Sequence, residues 1–303
     1  MNMKEEIMVA MDQIKAIRKQ KLDLWFRDSP ELGRGCALSI RIRDVLCHYH
    51  SRFQEIAVFE TDQMGRMLVL DDVTMLTEFD EFAYHEMIAH VPMMTHPNPS
   101  RVLVIGGGDG GTIREVLKHP GVSEVHLCEI DEEVVAACRK FLPSLASGFD
   151  NPRVRCFYED GAAFVKRHPE SYDVIIVDST DPVGPGQVLF QPPFYRDMKR
   201  ALTKEGVAVT QCESIYFHPE IIGKVAAFAR EIYPHVGYYH TLVPTYPSGI
   251  IGFMFCSLRY DPARADGFEE RASKLKDLKY YTPAIHRAAF ILPRFGETLF
   301  GAE

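Results

Sequence analysis

Between residues 36 and 77 apolar and polar positions alternate with a period of two. CALSIRIRDVLCHYHS, FQEIAVFETD, RMLVLDD and VTMLTE read as successive strands, and DQMG at 62–65 as a hairpin turn. This pattern predicts a small antiparallel β-domain. Upstream, Ile7, Met11, Ile14 and Ile17 recur at helical spacing and predict a short amphipathic helix over 4–20. After the strands, DEFAYHEMIAHVP predicts a helix capped by Asp80 and ending before Pro92. HPNPS then breaks the chain.

From residue 101 the pattern becomes strand then helix, repeated. RVLVI, VHLCEI, RVRCFYE, YDVIIVD and GVAVTQC are apolar runs of strand length, and TIREVLKH and EEVVAACRKF are helical. Such alternation predicts a mostly parallel sheet covered on both faces. HVGYYHTLV and GIIGFMFCSL lie close together late in the chain and predict an antiparallel pair at one edge. The expected organisation is a helical extension over 1–22, a β-strand domain over 23–79 and a Rossmann-like α/β catalytic domain over 80–303.

Composition narrows the partners. The chain has 303 residues, 46% of them hydrophobic, which suffices for one large core with a small companion. Its formal net charge of -8 disfavours nucleic acid and mildly favours a cationic substrate. The seven cysteines form no CxxC pair, which argues against zinc and a disulfide framework and for a reducing compartment. No stretch reaches the roughly 20 apolar residues of a membrane span. A cytoplasmic protein without membrane contact is expected.

The first chemical motif is VLVIGGGDGGTIREVL at 102–117, a strand, a glycine loop and a helix. The loop contains the spacing Gly106, Gly108, Gly111, which dinucleotide enzymes also use. The next strand ends in Glu129, whose carboxylate suits two ribose hydroxyls. The third ends in Asp160-Gly161. Asp160 suits an adenine amino group, with Gly161 leaving room for the ring, or it caps the following helix. Asp109 sits inside the glycine loop, where a methyltransferase holds the methionine carboxylate. Two carboxylates at ~4 Å and an effective dielectric of ~20 repel by roughly 4 kcal/mol. Asp109 therefore suits a ligand that has lost its α-carboxyl and kept its ammonium; otherwise it faces solvent or caps the helix.

The second motif is YDVIIVDSTDPVGP at 172–185, with Asp178 and Asp181 at the carboxyl end of a buried strand. Ligands of open α/β sheets bind at that edge. A primary amine has a pKa of about 10 and carries no lone pair at pH 7. A carboxylate beside it accepts the proton and orients nitrogen toward carbon. Asp178 is the expected base and Asp181 an ammonium anchor; the alternative is that both hold the loop together. Tyr84, His85 and Tyr246 are candidates to close the pocket, since aromatic faces suit methylene chains and cations. Gln54 and Gln211 are candidates for polar edges. His50, His119 and His218 show no metal-ligand spacing, and no metal is expected.

These stretches together resemble the spermidine synthase (polyamine aminopropyltransferase) family. LVLDDVTMLTEFDEFAYHEMIAHVP, HPNPSRVLVIGGGDGGTIREVLKHP, CEIDEEVV, EDG, YDVIIVDSTDPVGP, LFQPPFY and PTYPSG occur in family order, over roughly residues 36–258. The resemblance implies a seven-stranded methyltransferase-like Rossmann sheet with a small N-terminal antiparallel β-domain. It implies transfer of the aminopropyl group of decarboxylated S-adenosylmethionine, a co-substrate rather than a cofactor, to putrescine or another diamine. Asp178 would accept the proton. Asp109, Asp181, Tyr84, His85 and Tyr246 would hold amines and carbon chains. Gln54, Glu129, Asp160, Gly161 and Pro185 would hold the nucleoside. A homodimer or homotetramer is implied. Met75 and Phe79 depart from the glutamine and basic residue of many relatives.

Three rival readings share parts of the pattern. An amine methyltransferase shares Glu129 and Asp160 but not the logic of Asp109. A nicotinamide dehydrogenase fits the glycine spacing but lacks a Tyr-Lys or Arg-His set. A polyamine-binding scaffold would have no need to keep both Asp178 and Asp181.

Overall fold

The computed structural model describes residues 24–29, 34–181, 184–262 and 267–300. The amphipathic helix expected over 4–20 lies outside them. The first unit is a five-stranded antiparallel sheet in the order β1 (Leu24–Arg27), β2 (Ser39–His50), β3 (Glu55–Thr61), β4 (Arg66–Leu70), β5 (Val73–Thr77). The β3–β4 hairpin turns at the expected DQMG, where Gly65 takes φ 69° and Thr61 N–H donates to its carbonyl. β1 was not expected from the sequence. It has four residues and pairs Leu24–Arg27 with Ser39–Ile42.

Helix α1 (Glu81–Thr95) joins this unit to the rest. Two expectations fail here. The helix runs through Pro92 instead of stopping before it, and Asp80 makes no capping bond. A proline inside a helix gives up one hydrogen bond to the carbonyl four residues back and crowds the preceding turn. Nearly every residue of α1 is buried, so packing across β9, β10 and β11 outweighs that loss. The Asp80 carboxylate accepts from Thr77 Oγ1 at 2.7 Å and from the Thr245 N–H at 2.8 Å. It ties the end of β5 to the proline loop that carries Tyr246.

The second unit follows the predicted alternation: β6 (Arg101–Gly106), α2 (Gly111–Val116), β7 (Glu124–Glu129), α3 (Glu132–Phe141), β8 (Val154–Tyr158), α4 (Gly161–Lys166), β9 (Tyr172–Asp178), α5 (Pro192–Ala201), β10 (Leu202–Gln211), α6 (Pro219–Ile232), β11 (His235–Leu242) and β12 (Ile250–Ser257). The seven strands order as β11-β12-β10-β9-β6-β7-β8. β8, β7, β6, β9 and β10 are parallel, and β12 and β11 add antiparallel at one edge.

Burial follows the period of the strands. Val102, Val104, Val174 and Ile176 join a core shared with α1 and with Ile56, Val58 and Leu68 of the small sheet. Leu103, Ile105, Ile175 and Val177 point to the opposite face, against Phe164, Phe194, Met198 and Ala226 from α4, α5 and α6. The two sheets therefore share one hydrophobic core, and the carboxyl ends of β6, β7 and β9 open toward the small sheet.

Candidate active site

A cavity of about 500 Å³ lies at that edge. Gln54, Tyr84, His85, Asp109, Glu129, Asp160, Gly161, Asp178, Asp181, Gln211 and Tyr246 all line it. Pro185 falls in the helical turn Gly184–Phe190, and its side chain lies outside what the structure describes.

Asp178 ends β9 beside Gly106, the last residue of β6. The Gly107 N–H donates to the Asp178 carbonyl at 2.8 Å. Gly106 has φ 75°, and a Cβ there would collide with the same carbonyl. Glycine is thus required for the two strand ends to meet. The Asp178 carboxylate accepts from the Tyr84 hydroxyl on Oδ1 at 2.7 Å and from the Thr112 hydroxyl on Oδ2 at 2.6 Å. Burial and then the charge of Asp109 push its pKa up; the bonds from Thr112 and Tyr84 oppose them.

Asp109 accepts from the Gly111 N–H at 2.7 Å and pairs with His85 Nε2 at 3.1 Å, both through Oδ1. Burial raises its pKa, but His85 wins and holds it below the usual carboxylate range. His85 Nδ1 meets Glu81 Oε2 at 2.6 Å. Burial favours the neutral ring, yet two flanking carboxylates raise the His85 pKa well above its ordinary value. Glu81 in turn receives a two-pronged bond from Arg114, at 3.1 and 2.8 Å. The His85 ring lies over Gly111, where any Cβ would collide with it.

Glu129 is buried at the end of β7, and its Oε1 accepts from the Asp131 N–H at 2.9 Å. Burial raises its pKa to about 7. Gln54 Nε2, reaching from the small sheet, donates to Asp131 Oδ2 at 2.9 Å. The Tyr246 hydroxyl donates to the Met75 carbonyl at 2.8 Å, and its ring meets Tyr84 edge-on at 6.4 Å between centroids. Met75 lines the cavity; Phe79 is half-exposed and does not.

Comparison with known proteins decides the family. Residues 81–263 match the model of the spermine/spermidine synthase domain, and residues 24–78 that of the spermidine synthase tetramerisation domain. A polyamine aminopropyltransferase of Leptospira biflexa is 51% identical over 276 residues, covering 91% of this chain and 98% of the relative. A spermidine synthase of Dictyostelium discoideum is 45% identical over 271 residues, covering 89% and 95%. The chain belongs to the spermine/spermidine synthase family. Its fold agrees: a crystal structure of a spermidine synthase in complex with the transition-state analogue AdoDATO superposes with a TM-score of 0.90 at 39% identity, covering 95% of this chain and 99% of that one. The spermidine synthase of Thermotoga maritima gives 0.87 at 37% identity, covering 95% and 98%.

Of the two expected readings of Asp160, the structure shows the cap. Asp160 caps α4, accepting from the Ala162 and Ala163 N–H groups at 2.7 and 3.2 Å through Oδ1. It lines the cavity as well. The missing side chain of Gly161 first serves Ile105, whose Cγ2 a Cβ would hit. Thr112, Glu81 and Arg114 were missed from the sequence. Thr112 stands next to the glycine loop, but only the adjacency of β6 and β9 reveals its partner. Glu81 and Arg114 lie 33 residues apart and meet through packing of α1 on α2.

Proposed function

We propose that the chain transfers the aminopropyl group of decarboxylated S-adenosylmethionine to putrescine, giving spermidine and 5′-methylthioadenosine. The observation that carries this reading is the pair Asp109 and Asp178 at the mouth of β6 and β9, held by His85 and by Tyr84 with Thr112.

Asp109 offers a negative charge where an α-carboxyl would sit in S-adenosylmethionine, so it selects the decarboxylated nucleoside by repulsion. Its Oδ2 remains for the aminopropyl ammonium. Glu129 takes the ribose hydroxyls, with Gln54 and Asp160 at the polar edges of the nucleoside. The acceptor amine enters as an ammonium and gives its proton to Asp178. The nitrogen lone pair forms a bond to the methylene carbon beside sulfur. The carbon–sulfur bond breaks, its electrons go to sulfur, and the sulfonium becomes a neutral thioether. Burial keeps Asp178 basic enough for the task, and the two hydroxyls fix its plane. Tyr84 and Tyr246 flank the methylene chain.

No further cofactor is required, because the sulfonium is already a good leaving group. One ligand atom each from His85, Asp109 and Asp178 lies within 4.8 Å of the others, a metal-like grouping. A His85 ring pinned between Glu81 and Asp109 through both nitrogens has no lone pair for a metal, which favours a cationic nitrogen there. The match of residues 24–78 to a tetramerisation domain supports a homo-oligomer. Among the described residues no helix is long and apolar enough to cross a membrane, and all seven cysteines are free, in keeping with a cytoplasmic enzyme.

The test is a product assay by mass spectrometry. Decarboxylated and ordinary S-adenosylmethionine are each offered with putrescine, cadaverine, agmatine and spermidine. Aminopropylated putrescine from the decarboxylated nucleoside alone is expected. Methyl transfer without aminopropyl transfer would overturn the reading.

A further inference from the structure

Arg114 lies on α2 outside the lining of the cavity, and its guanidinium is clamped on two sides. Nη1 and Nη2 donate to the two oxygens of Glu81 at 3.1 and 2.8 Å, and Nε donates to Glu115 Oε1 at 2.8 Å. Glu115 is fixed in turn. Its Oε2 meets His90 Nε2 at 3.1 Å and Lys118 Nζ at 2.7 Å, and His90 Nδ1 meets His119 Nε2 at 3.0 Å. Glu115, His90 and His119 are all buried. Burial works against ionisation of Glu115, but its bonds to His90 and Lys118 and the charge of Arg114 hold its pKa below the ordinary value.

Charge alternates along this chain. It runs from Asp109 through His85, Glu81, Arg114 and Glu115 to Lys118, and each neighbour of opposite sign lies within 3.1 Å. Only its first members reach the cavity.

Glu81 is the shared link. Its Oε2 serves both the His85 ring and Arg114. Burial opposes its ionisation, and His85 and then Arg114 hold its pKa down. Without Arg114, two buried carboxylates, Glu81 and Asp109, would share one imidazolium. A buried charge that has lost its partner takes up a proton rather than stay ionised. The other groups facing Asp109 supply no replacement. Asp178 on β9 and Glu129 on β7 are acidic, and burial keeps Tyr84, Tyr246 and Cys138 neutral. The cations that hold the Asp109 pKa down are His85 and Arg114.

We propose that Arg114 is a positioning residue for the nucleoside: it balances the charge of Glu81, so that His85 stays paired with Asp109 and Asp109 keeps its negative charge for the ammonium of the ligand. This rests on the aminopropyl-transfer reading for the identity of that ammonium. Arg114 itself touches no substrate.

Calorimetry without an acceptor amine tests it. Decarboxylated S-adenosylmethionine is compared with 5′-methylthioadenosine, which has the same adenosine and no ammonium. The ratio of the two dissociation constants cancels any pH dependence of the ribose contacts, which both ligands share. In the wild type this ratio should change little between pH 8 and 6. In Arg114→Gln the preference for the decarboxylated nucleoside should fall as pH falls, by up to about tenfold per unit, because a proton competes with the ammonium at Asp109. The double variant Glu81→Gln/Arg114→Gln removes both charges of the pair and should restore the wild-type slope, which a packing role for Arg114 would not do. A slope in Arg114→Gln no steeper than in the wild type, or one that persists in the double variant, would overturn the proposal. Should Arg114→Gln fold poorly, Arg114→Lys, which keeps the charge, has to match the wild-type slope; a steeper one would overturn it equally. A wild type that binds both nucleosides alike would instead sink the reading of Asp109 as the ammonium's partner, and aminopropyl transfer with it.

Discussion

The Tyr84 hydroxyl donates to Asp178 Oδ1 at 2.7 Å, from a helix 94 residues earlier in the chain. α1 thereby sets the angle of the carboxylate at the end of β9. Tyr84→Phe keeps the ring and removes the bond. A charge-assisted bond is worth about 1.5–3 kcal/mol, so kcat should fall roughly tenfold or more. Losing this donor also raises the Asp178 pKa further, so the acid limb of the rate profile should move to higher pH. A pH–rate profile identical to wild type would show that Tyr84 serves packing alone.

Asp178→Asn leaves the Thr112 hydroxyl and the Gly107 N–H with acceptors, since the amide oxygen and the backbone carbonyl remain. Folding and methylthioadenosine binding should persist. Loss of a general base typically costs about 10²–10⁴-fold in rate. The residual activity should climb about tenfold per pH unit above neutrality, because the acceptor, with a pKa near 10, then supplies its own free amine. Stopped-time assays from pH 7 to 9 measure both effects. Near-normal turnover at pH 7 would remove Asp178 from its role.

Much of this site was legible in the sequence, and the exceptions have physical reasons. Glu129, Asp160 and Asp178 are read from strand ends, and strand ends are visible as the limits of apolar runs. Asp109 is read from its place among glycines. The helix over Pro219–Ile232 was not among the expected elements, although Ile222, Val225, Ala226, Ala229 and Ile232 are buried at helical spacing. β1 was illegible because four residues carry no period; only pairing with β2 makes LWFR a strand. Asp80 has a helix-cap sequence context, yet Thr245, 165 residues away, claims its carboxylate. The left-handed backbone at Glu213 is maintained by tertiary bonds, among them one from the Tyr238 hydroxyl. Contacts set by packing between distant segments leave no local signature.

Glu129 makes nucleoside binding depend on pH. Its folded pKa is about 7 against an ordinary 4.5, so the empty folded protein holds a proton that the unfolded chain has lost. This contribution to stability is full below 4.5 and is lost as pH rises through 7. Ribose hydroxyls donate to the ionised form, so methylthioadenosine affinity should run the other way. It should weaken below pH 7 by up to about tenfold per unit, and Glu129→Gln should remove that slope. Titrations between pH 5.5 and 8 that show no slope in the wild type would exclude Glu129 as the ribose acceptor.

Asp109→Asn tests how the chain tells its nucleoside from S-adenosylmethionine. In the native site the aspartate is ionised, because His85 and the Gly111 N–H hold its pKa down. An α-carboxyl placed beside it meets a like charge, partly offset by the His85 imidazolium at 3.1 Å. The bare repulsion of roughly 4 kcal/mol is therefore an upper bound, and about tenfold in affinity is a sounder expectation. Asparagine keeps the size and the acceptor oxygen and removes the charge. Decarboxylated S-adenosylmethionine should bind more weakly, since its ammonium loses a counter-charge. S-adenosylmethionine should bind more tightly, since its carboxylate loses a repeller and gains the uncovered positive charge of His85. The ratio of the two dissociation constants should then move toward one by about two powers of ten, the two tenfold changes combined. If both nucleosides lose affinity equally, Asp109 shapes the loop without reading the charge of the ligand, and the selectivity must be carried elsewhere in the cavity.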